Sequence, residues 1–316
     1  VVGRQAQSEM GRALQVGPLS LRVLKWPGGK GGMLDDLLPL IPYDELFVDV
    51  FGGGGSVLLN RRASPVEVYN DLDSNLVNLF RVIQHPSDHI ELERRLRSTL
   101  YSKEEFVKAI HIIDGTSEPA DHIEQAWAMF VNMNQSVVGR VRHTQGNWSR
   151  AAISVSGESA VVAGWKSLVN RLGRVYDRLS GVQVEQRDAI EAIQYWDGSH
   201  SVLYVDPPYV HDTRVEAEYY AHEMSNDQHE LMIDALLDCR GKVVVSGYDH
   251  PIYNRFDDSG WHRVEFKRLT TMTASQRGKD DDWDRESKPR GERVEVVWLN
   301  NEAHLVKADP TLWDTL

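Results

Sequence analysis

Asp206-Pro207-Pro208-Tyr209 is the segment of this sequence best equipped for chemistry. It follows Val202-Leu203-Tyr204-Val205, an apolar run that predicts a buried strand. Neither proline can donate a ladder hydrogen bond, so the chain must leave the sheet here. That exit lies at the carboxyl end of a strand, where open α/β sheets gather their ligands. The turn offers a carboxylate, prolyl carbonyls with no competing N–H at their own residues, and an aromatic face. These parts suit a planar exocyclic amine, which needs two acceptors for its two N–H groups and a ring to stack on. The same four residues also suit a plain surface turn, so support must come from elsewhere in the chain.

Two glycine-rich segments supply it. Leu46–Phe51 reads as a strand stopped by Gly52-Gly53-Gly54-Gly55, with a helix starting at Ser56. A second strand, Val66–Tyr69, ends at Asn70-Asp71. This order of strand, glycines, helix, strand and acid is the opening unit of a doubly wound sheet. Gly53 and Gly55 form a G-x-G, but Leu58 stands where the dinucleotide fingerprint needs its last glycine. Asp71, about twenty residues beyond the loop, stands where an acid binds ribose hydroxyls. A nucleoside without a pyrophosphate is favoured, with a tight structural turn as the competing reading. Trp26-Pro27-Gly28-Gly29-Lys30 superficially matches a phosphate loop, but Gly31 replaces the required Ser or Thr and the spaced upstream glycine is missing. Lys30 on its Gly-Gly turn suits a carboxylate instead, as a point charge. Ribose hydroxyls, a carboxylate and no pyrophosphate describe S-adenosylmethionine, whose sulfonium also suits an acidic, aromatic pocket.

The elements that must position these groups follow from periodicity. Residues 76–135 read as helical, with Ile123, Trp127, Phe130 and Val131 on one face. Residues from Trp165 to Leu179 predict one amphipathic helix, with Gly181 as its terminating left-handed glycine. Strand Val182–Val184 follows, and Asp188 opens another helix. Ser225 and Gln228 have capping-box spacing at the start of a helix that runs to Cys239 and is stopped by Gly241. Val243–Val245 is a further strand. Two late strands, Val264–Lys267 and Arg293–Leu299, flank a polar stretch from Thr270 to Gly291 that reads as a mobile loop.

Composition sets bounds. The chain has 316 residues, 41% of them hydrophobic, enough for a sizeable core. Cys239 is the lone cysteine, so no intrachain disulfide forms, which fits a reducing cytosol. No stretch reaches membrane-span length and no signal-peptide apolar region opens the chain. Residues 1–20 are only weakly periodic and read as a loose tail. The net charge of −12 argues globally against a polyanionic partner. Between residues 132 and 179, however, seven bases (Arg140, Arg142, Arg150, Lys166, Arg171, Arg174 and Arg178) face only two acids, Glu158 and Asp177. Such a local excess is either a nucleic-acid footprint or a solvated helix face. His211, His222 and His229 lack a tight ligand cluster, so no metal is expected. Trp148 and Trp165 read as core residues.

Four motifs now stand in order: Leu24-Lys25-Trp26-Pro27-Gly28-Gly29-Lys30, Phe47–Ser56, Asn70-Asp71-Leu72-Asp73 and Asp206-Pro207-Pro208-Tyr209. Together, over residues 23–300, the chain resembles the Dam-type DNA adenine-N6 methyltransferases. The resemblance implies an α/β fold: a Rossmann-like methyltransferase domain with a mostly parallel seven-stranded sheet, plus an inserted helical target-recognition domain. It implies a tail over 1–22, a discontinuous catalytic domain over 23–75 and 156–316, and the recognition domain over 76–155. It places Trp26 and Lys30 at the methionine end of S-adenosylmethionine, with Lys30 near its carboxylate. Phe51 and Gly53 would form the floor, Asp71 would bind the ribose, and Asp206 would border both cofactor and target. Asp206 and the Pro207 carbonyl would accept from the target amine, and Tyr209 would stack on the flipped base. Double-stranded DNA is the implied partner, with no membrane, a cognate restriction endonuclease as a further partner, and the cytoplasm of a bacterium or phage-infected cell as the setting.

One departure matters. The family's aromatic-Asn-Gly run is replaced by Asn132-Met133-Asn134-Gln135-Ser136-Val137-Val138-Gly139-Arg140, which lacks the aromatic. The family's familiar GATC target therefore does not carry over. Arg140, Arg142, Asn147 and Arg150 are the candidates for DNA contact, to guanine edges or to phosphates. Methylation of cytosine N4 or of an RNA base, and a silent cofactor-dependent DNA-binding module, are the competing functions. Asp206 favours adenine by resemblance, and the intact Asp206 and Tyr209 argue against a silent module.

Overall fold

The computed structural model describes residues 20–137, 148–149, 159–210, 223–269 and 292–305. Seven strands lie in one sheet: β1 (Leu46–Asp49), β2 (Val66–Asn70), β3 (Val182–Glu185), β4 (Ser201–Val205), β5 (Lys242–Tyr248), β6 (His262–Leu269) and β7 (Glu292–Leu299). Their order is β3-β2-β1-β4-β5-β7-β6. Strands β1 to β5 pair in parallel, and β7 runs antiparallel between β5 and β6. The order reverses between β1 and β4. Such a switch point opens a crevice at the carboxyl ends of the two strands, and both the glycine loop and Asp206 follow there. The expected mostly parallel seven-stranded α/β sheet is thus observed.

Alternation along the strands divides the core between two faces. Phe47, Tyr69, Val202, Tyr204, Val244 and Val297 point to one side, Val48, Val68, Leu203, Val205, Val243, Val245 and Trp298 to the other. The first face is covered by α2 (Ser56–Asn60), α3 (Ser74–Gln84), α6 (His122–Gln135) and α8 (Leu172–Leu179), which follow the short α1 (Leu34–Leu37) or each other in the chain. Helices α4 (Asp88–Ser98), α5 (Lys103–Ile113) and α7 (Ala160–Val169) pack outside them. The second face is covered by α9 (Ala189–Trp196), α10 (Asn226–Leu237) and α11 (Asn254–Asp258). Parallel strands buried on both faces need apolar residues throughout, and β4 is buried at every position. A last helix, α12 (Asn301–His304), closes the described chain.

Two local readings need correction. The stretch from Trp165 to Leu179 is two helices. At the joint, Arg171 N–H donates to Leu168 three residues back, at 3.1 Å, which tightens the turn and redirects α8 toward the sheet. Gly181 is not left-handed. The chain stops α8 at Ser180, whose hydroxyl donates to the Asp177 carbonyl at 2.9 Å and so satisfies an end carbonyl without a glycine cap. The capping box at Ser225 and the cap at Asp188 form as expected, although α10 ends at Leu237 rather than Cys239. The boundary drawn after residue 75 falls inside α3, whose Phe80 stacks on Tyr69 of β2 at 4.0 Å. Residues 1–19 and the Thr270–Gly291 stretch lie outside the described residues.

Candidate active site

The glycine loop takes its shape from two rings. Tyr69 is fully buried, and a Cβ on Gly52 would lie 2.2 Å from it. Gly53 has φ +48°, and a Cβ there would lie 2.6 Å from Trp26 Nε1. Backbone without side chains is thus the only chain that fits between these rings. The loop is then pinned by polar groups. Tyr69 donates its hydroxyl to the Gly53 carbonyl at 2.8 Å, and Gly53 N–H donates to Asp71 Oδ2 at 2.8 Å. Asp71 Oδ1 accepts from Asp73 N–H at 2.9 Å. Asn70 stitches the neighbouring strand ends, donating to the Val50 carbonyl at 3.0 Å and accepting from Arg187 N–H at 2.9 Å.

The segment leading into Trp26 is held from the helical layer. Asn134, buried in α6, accepts from Lys25 N–H at 3.1 Å and donates to the Val23 carbonyl at 3.0 Å. Lys25 Nζ in turn donates to the Asn134 carbonyl at 2.8 Å. An asparagine in the segment expected to face DNA thus anchors the approach to the Trp26–Lys30 turn.

Across the crevice lies a buried ionic cluster. Lys30 is 3% exposed, and its ammonium donates to Asp206 Oδ1 at 2.9 Å, to the Tyr209 hydroxyl at 2.7 Å and to Glu295 Oε2 at 3.4 Å. Three donors meet three acceptors, so the ammonium is fully used. Tyr209 donates its hydroxyl to Glu295 Oε1 at 3.1 Å and stacks on Tyr248 at 4.0 Å. Ser246 donates to Asp206 Oδ1 at 2.9 Å, with the Tyr204 hydroxyl 3.0 Å behind it. Asp206 Oδ1 is thereby doubly bonded, while Oδ2 carries no hydrogen bond among the described residues.

Electrostatics follow from burial and charge count. Burial disfavours the ammonium of Lys30, but Asp206 and Glu295 outweigh it and hold its pKa above the ordinary lysine value. Burial raises the Asp206 carboxyl, Lys30 pulls it down and Glu295 pushes it up again, leaving it above the usual carboxylate range. Asp49, at the end of β1, is raised well above that range by burial, then by Asp206 and Asp71. Three aspartates converging on one crevice make it suited to a cation.

The crevice encloses about 1160 Å³, open solvent at its mouth included. Trp26, Lys30, Phe51, Gly53, Asp71, Asp206, Pro207 and Tyr209, the full set of expected catalytic and cofactor residues, line it. The sequence expectation for Lys30 was a ligand carboxylate; the carboxylates that it meets are the protein's own Asp206 and Glu295. A buried ammonium without partners would be costly, and these two supply the pairing. Sequence reasoning missed Asp49, Ser246, Tyr248 and Glu295. Asp49 carried a signal, an acid ending a strand just before the glycines; Glu295 carried none. Arg140, Arg142, Asn147 and Arg150 lie outside the described residues. Arg178 does not belong to a DNA-facing surface: its guanidinium is bonded to buried Glu67 and to the Leu58 carbonyl. Lys166 and Arg174 are exposed. Trp165 is buried, as expected, and His229 is buried beside the Tyr253 hydroxyl, 3.2 Å away. His211 and His222 lie outside the described residues.

Comparison with known proteins agrees with this geometry. Residues 26–135 match the family model of the D12 class N6 adenine-specific DNA methyltransferases. The chain is 24% identical over 255 residues to a DNA N-6-adenine-methyltransferase of Escherichia phage P1, an alignment covering 77% of this chain and 32% of that protein. It thus spans about a third of the phage protein's length. It is 26% identical over 278 residues to the Type II methyltransferase M1.LlaDCHI of Lactococcus lactis subsp. cremoris, covering 84% of this chain and 95% of the relative. A 74-residue stretch is 36% identical to the DNA adenine methylase of Escherichia coli K12, covering 23% of this chain and 26% of that one. With its glycine loop, its Asp206 turn and these matches, the chain is similar to the D12 class N6 adenine-specific DNA methyltransferases, whose family model covers its residues 26–135.

Proposed function

We propose that this protein is a site-specific DNA methyltransferase that moves a methyl group from S-adenosylmethionine to the exocyclic N6 amine of an adenine flipped out of double-stranded DNA. The observation that carries the reading is Asp206. Lys30 and Ser246 consume its Oδ1, so its Oδ2 is left for an N–H donor at the switch point of the sheet.

The crevice fits the methyl donor. The glycine loop presents bare backbone to the crevice beside Trp26, Asp71 stands at the end of β2 for the ribose, and Asp49, Asp71 and Asp206 suit a sulfonium. Trp26, Phe51, Gly53 and Asp71 would hold the cofactor. Lys30 serves Asp206 rather than the cofactor carboxylate, because none of its N–H groups is left over. When bound, S-adenosylmethionine supplies an electrophilic methyl group on sulfur. The protein's part is to raise the nucleophilicity of an amine whose lone pair is delocalised into the ring. Asp206 Oδ2 and the Pro207 carbonyl accept its two N–H groups, favour a tetrahedral nitrogen and stabilise the developing positive charge. Asp206 is also placed to take the proton that the amine must lose. Tyr209, whose ring stacks on Tyr248, would also stack on the flipped base. Unstacking the base costs a few kcal/mol, offset by these contacts.

The segment 76–155, including Arg140, Arg142, Asn147 and Arg150, would recognise the duplex. The work would be done in the cytoplasm, where methylation would shield the same sequence from a cognate restriction endonuclease. The test is to incubate unmodified genomic DNA with the protein and S-adenosylmethionine, then map modified bases by single-molecule sequencing. N6-methyladenine at one recurring sequence is expected. N4-methylcytosine, or unmodified DNA, would overturn the reading.

A further inference from the structure

Glu295 belongs to none of the sequence motifs, yet it completes the hydrogen bonding around Lys30 and Tyr209. It lies on β7 in antiparallel register with Tyr248 of β5. A directly opposed pair presents both side chains on one face of a sheet, and Tyr209 meets both of them. Its ring stacks on Tyr248 at 4.0 Å and 19°, and its hydroxyl donates to Glu295 Oε1 at 3.1 Å. The other oxygen, Oε2, lies 3.4 Å from the Lys30 ammonium that holds Asp206. One carboxylate therefore ties together the residue that would stack on the base and the lysine that aims the acceptor. It also sets a second carboxylate opposite Asp206 at the Lys30 ammonium.

We infer that Glu295 is a positioning residue for methyl transfer: through Lys30 it fixes Asp206 with Oδ2 left for the amine, and through the Tyr209 hydroxyl it fixes the ring against which the base stacks. The inference rests on the proposed function, since it assigns Glu295 a part in that reaction. The charged and titratable groups around Asp206 are Lys30 from the turn before α1, Asp49 from β1, Tyr204 from β4 and Glu295 from β7. Two carboxylates beside Asp206 oppose its ionisation and Lys30 favours it.

Two variants separate positioning from packing. Glu295→Gln keeps polar atoms near Lys30 and Tyr209 but removes one of the opposing charges. It should move the acid limb of the pH–rate profile to lower pH. Glu295→Ala removes the tie, and kcat on duplex DNA should fall by roughly tenfold or more, because small misplacements of reacting groups are expensive. The KM for S-adenosylmethionine should change by less than about threefold, as expected for an interaction made in the transition state. Independently of activity, nitrogen-15 NMR on lysine-labelled protein reads the Lys30 ammonium. Its exchange with water should quicken in Glu295→Ala. An unchanged Lys30 signal in that variant would overturn the inference whatever the rates. So would a lowered melting temperature with an unmoved pH limb, which would mean that Glu295 only packs. Wild-type protein that incorporates no methyl group into DNA would instead defeat the proposed function, while the NMR comparison still judges the anchoring of Lys30.

Discussion

Two buried ionic clusters brace this sheet, and they differ in one respect. In the first, Glu67 of β2, 4% exposed, accepts from Arg61 Nη1 at 2.9 Å and from both terminal nitrogens of Arg178. Arg178 also reaches the Leu58 carbonyl, and Arg61 lies over the Phe47 ring at 3.9 Å. Burial and the neighbouring Arg178 bring the Arg61 pKa down to about 10, against the pull of Glu67. In the second, a single cation, Lys30, is shared by Asp206 and Glu295. The first cluster has two cations for one carboxylate and spends both oxygens of Glu67 inside the fold. The second has two carboxylates for one cation and leaves Asp206 Oδ2 unbonded among the described residues. A buried ion cluster that saturates its acceptors is a brace, whereas one that holds an acceptor back toward a crevice is equipped to bind.

The largest effect should come from breaking the first cluster. Arg178→Ala strands Glu67 with one partner in a buried site, and such losses cost about 3–5 kcal/mol. Chemical denaturation should show this, while the salt dependence of DNA binding stays unchanged. A flattened salt slope with unchanged stability would return Arg178 to the DNA surface.

Gly52→Ala probes the wall between the clusters. Tyr69 cannot withdraw, since it stacks on Phe80 and bonds the Gly53 carbonyl. Overpacking of about 1–3 kcal/mol should follow, read as a lowered melting temperature together with weakened cofactor binding. Asp71→Ala should weaken S-adenosylmethionine binding by about tenfold, near 1.4 kcal/mol, because Asp71 also pins Gly53 N–H. Calorimetry showing unchanged affinity would remove Asp71 from the cofactor site.

The smallest expected change in binding sharpens the contrast most. Lys30→Met should alter cofactor affinity by less than about threefold, under about 1 kcal/mol, because the ammonium is spent on Asp206, Tyr209 and Glu295. Its effect should fall on the pH profile. Turnover needs ionised Asp206, whose carboxyl is raised by burial despite Lys30. Activity should therefore fall as pH drops through a value above the ordinary carboxylate pKa of about 4. Without the lysine that value rises, so the acid limb moves to higher pH. A large loss of cofactor affinity with an unmoved limb would put Lys30 back at the cofactor carboxylate.

These clusters also mark what a sequence can disclose. Phe51, Gly53, Asp71 and Asp206 were legible because each sits where a predicted strand ends, and the sheet itself brings strand ends together. The glycine loop was legible because only glycine tolerates the rings against it. Glu295 was not, since it lies 265 residues from Lys30 in a strand whose alternating charges resemble any sheet edge. Arg178 was misread for the same reason: its charge is visible in the sequence, but its partner Glu67 is 111 residues away. The break at Arg171 was hidden because apolar periodicity continues across it. Local geometry is written in short motifs, whereas long-range ion pairing appears only once the sheet order is known.

Methyl transfer at this site turns on Asp206 accepting the target amine. Tritiated S-adenosylmethionine, unmodified duplex DNA and nucleoside chromatography compare the wild type with Asp206→Ala. The wild type should place tritium in N6-methyl-2′-deoxyadenosine of the DNA digest, and the folded variant should do so slower by on the order of a hundredfold or more at saturating cofactor. Near-normal tritium transfer by a folded Asp206→Ala variant would remove Asp206 from the reaction.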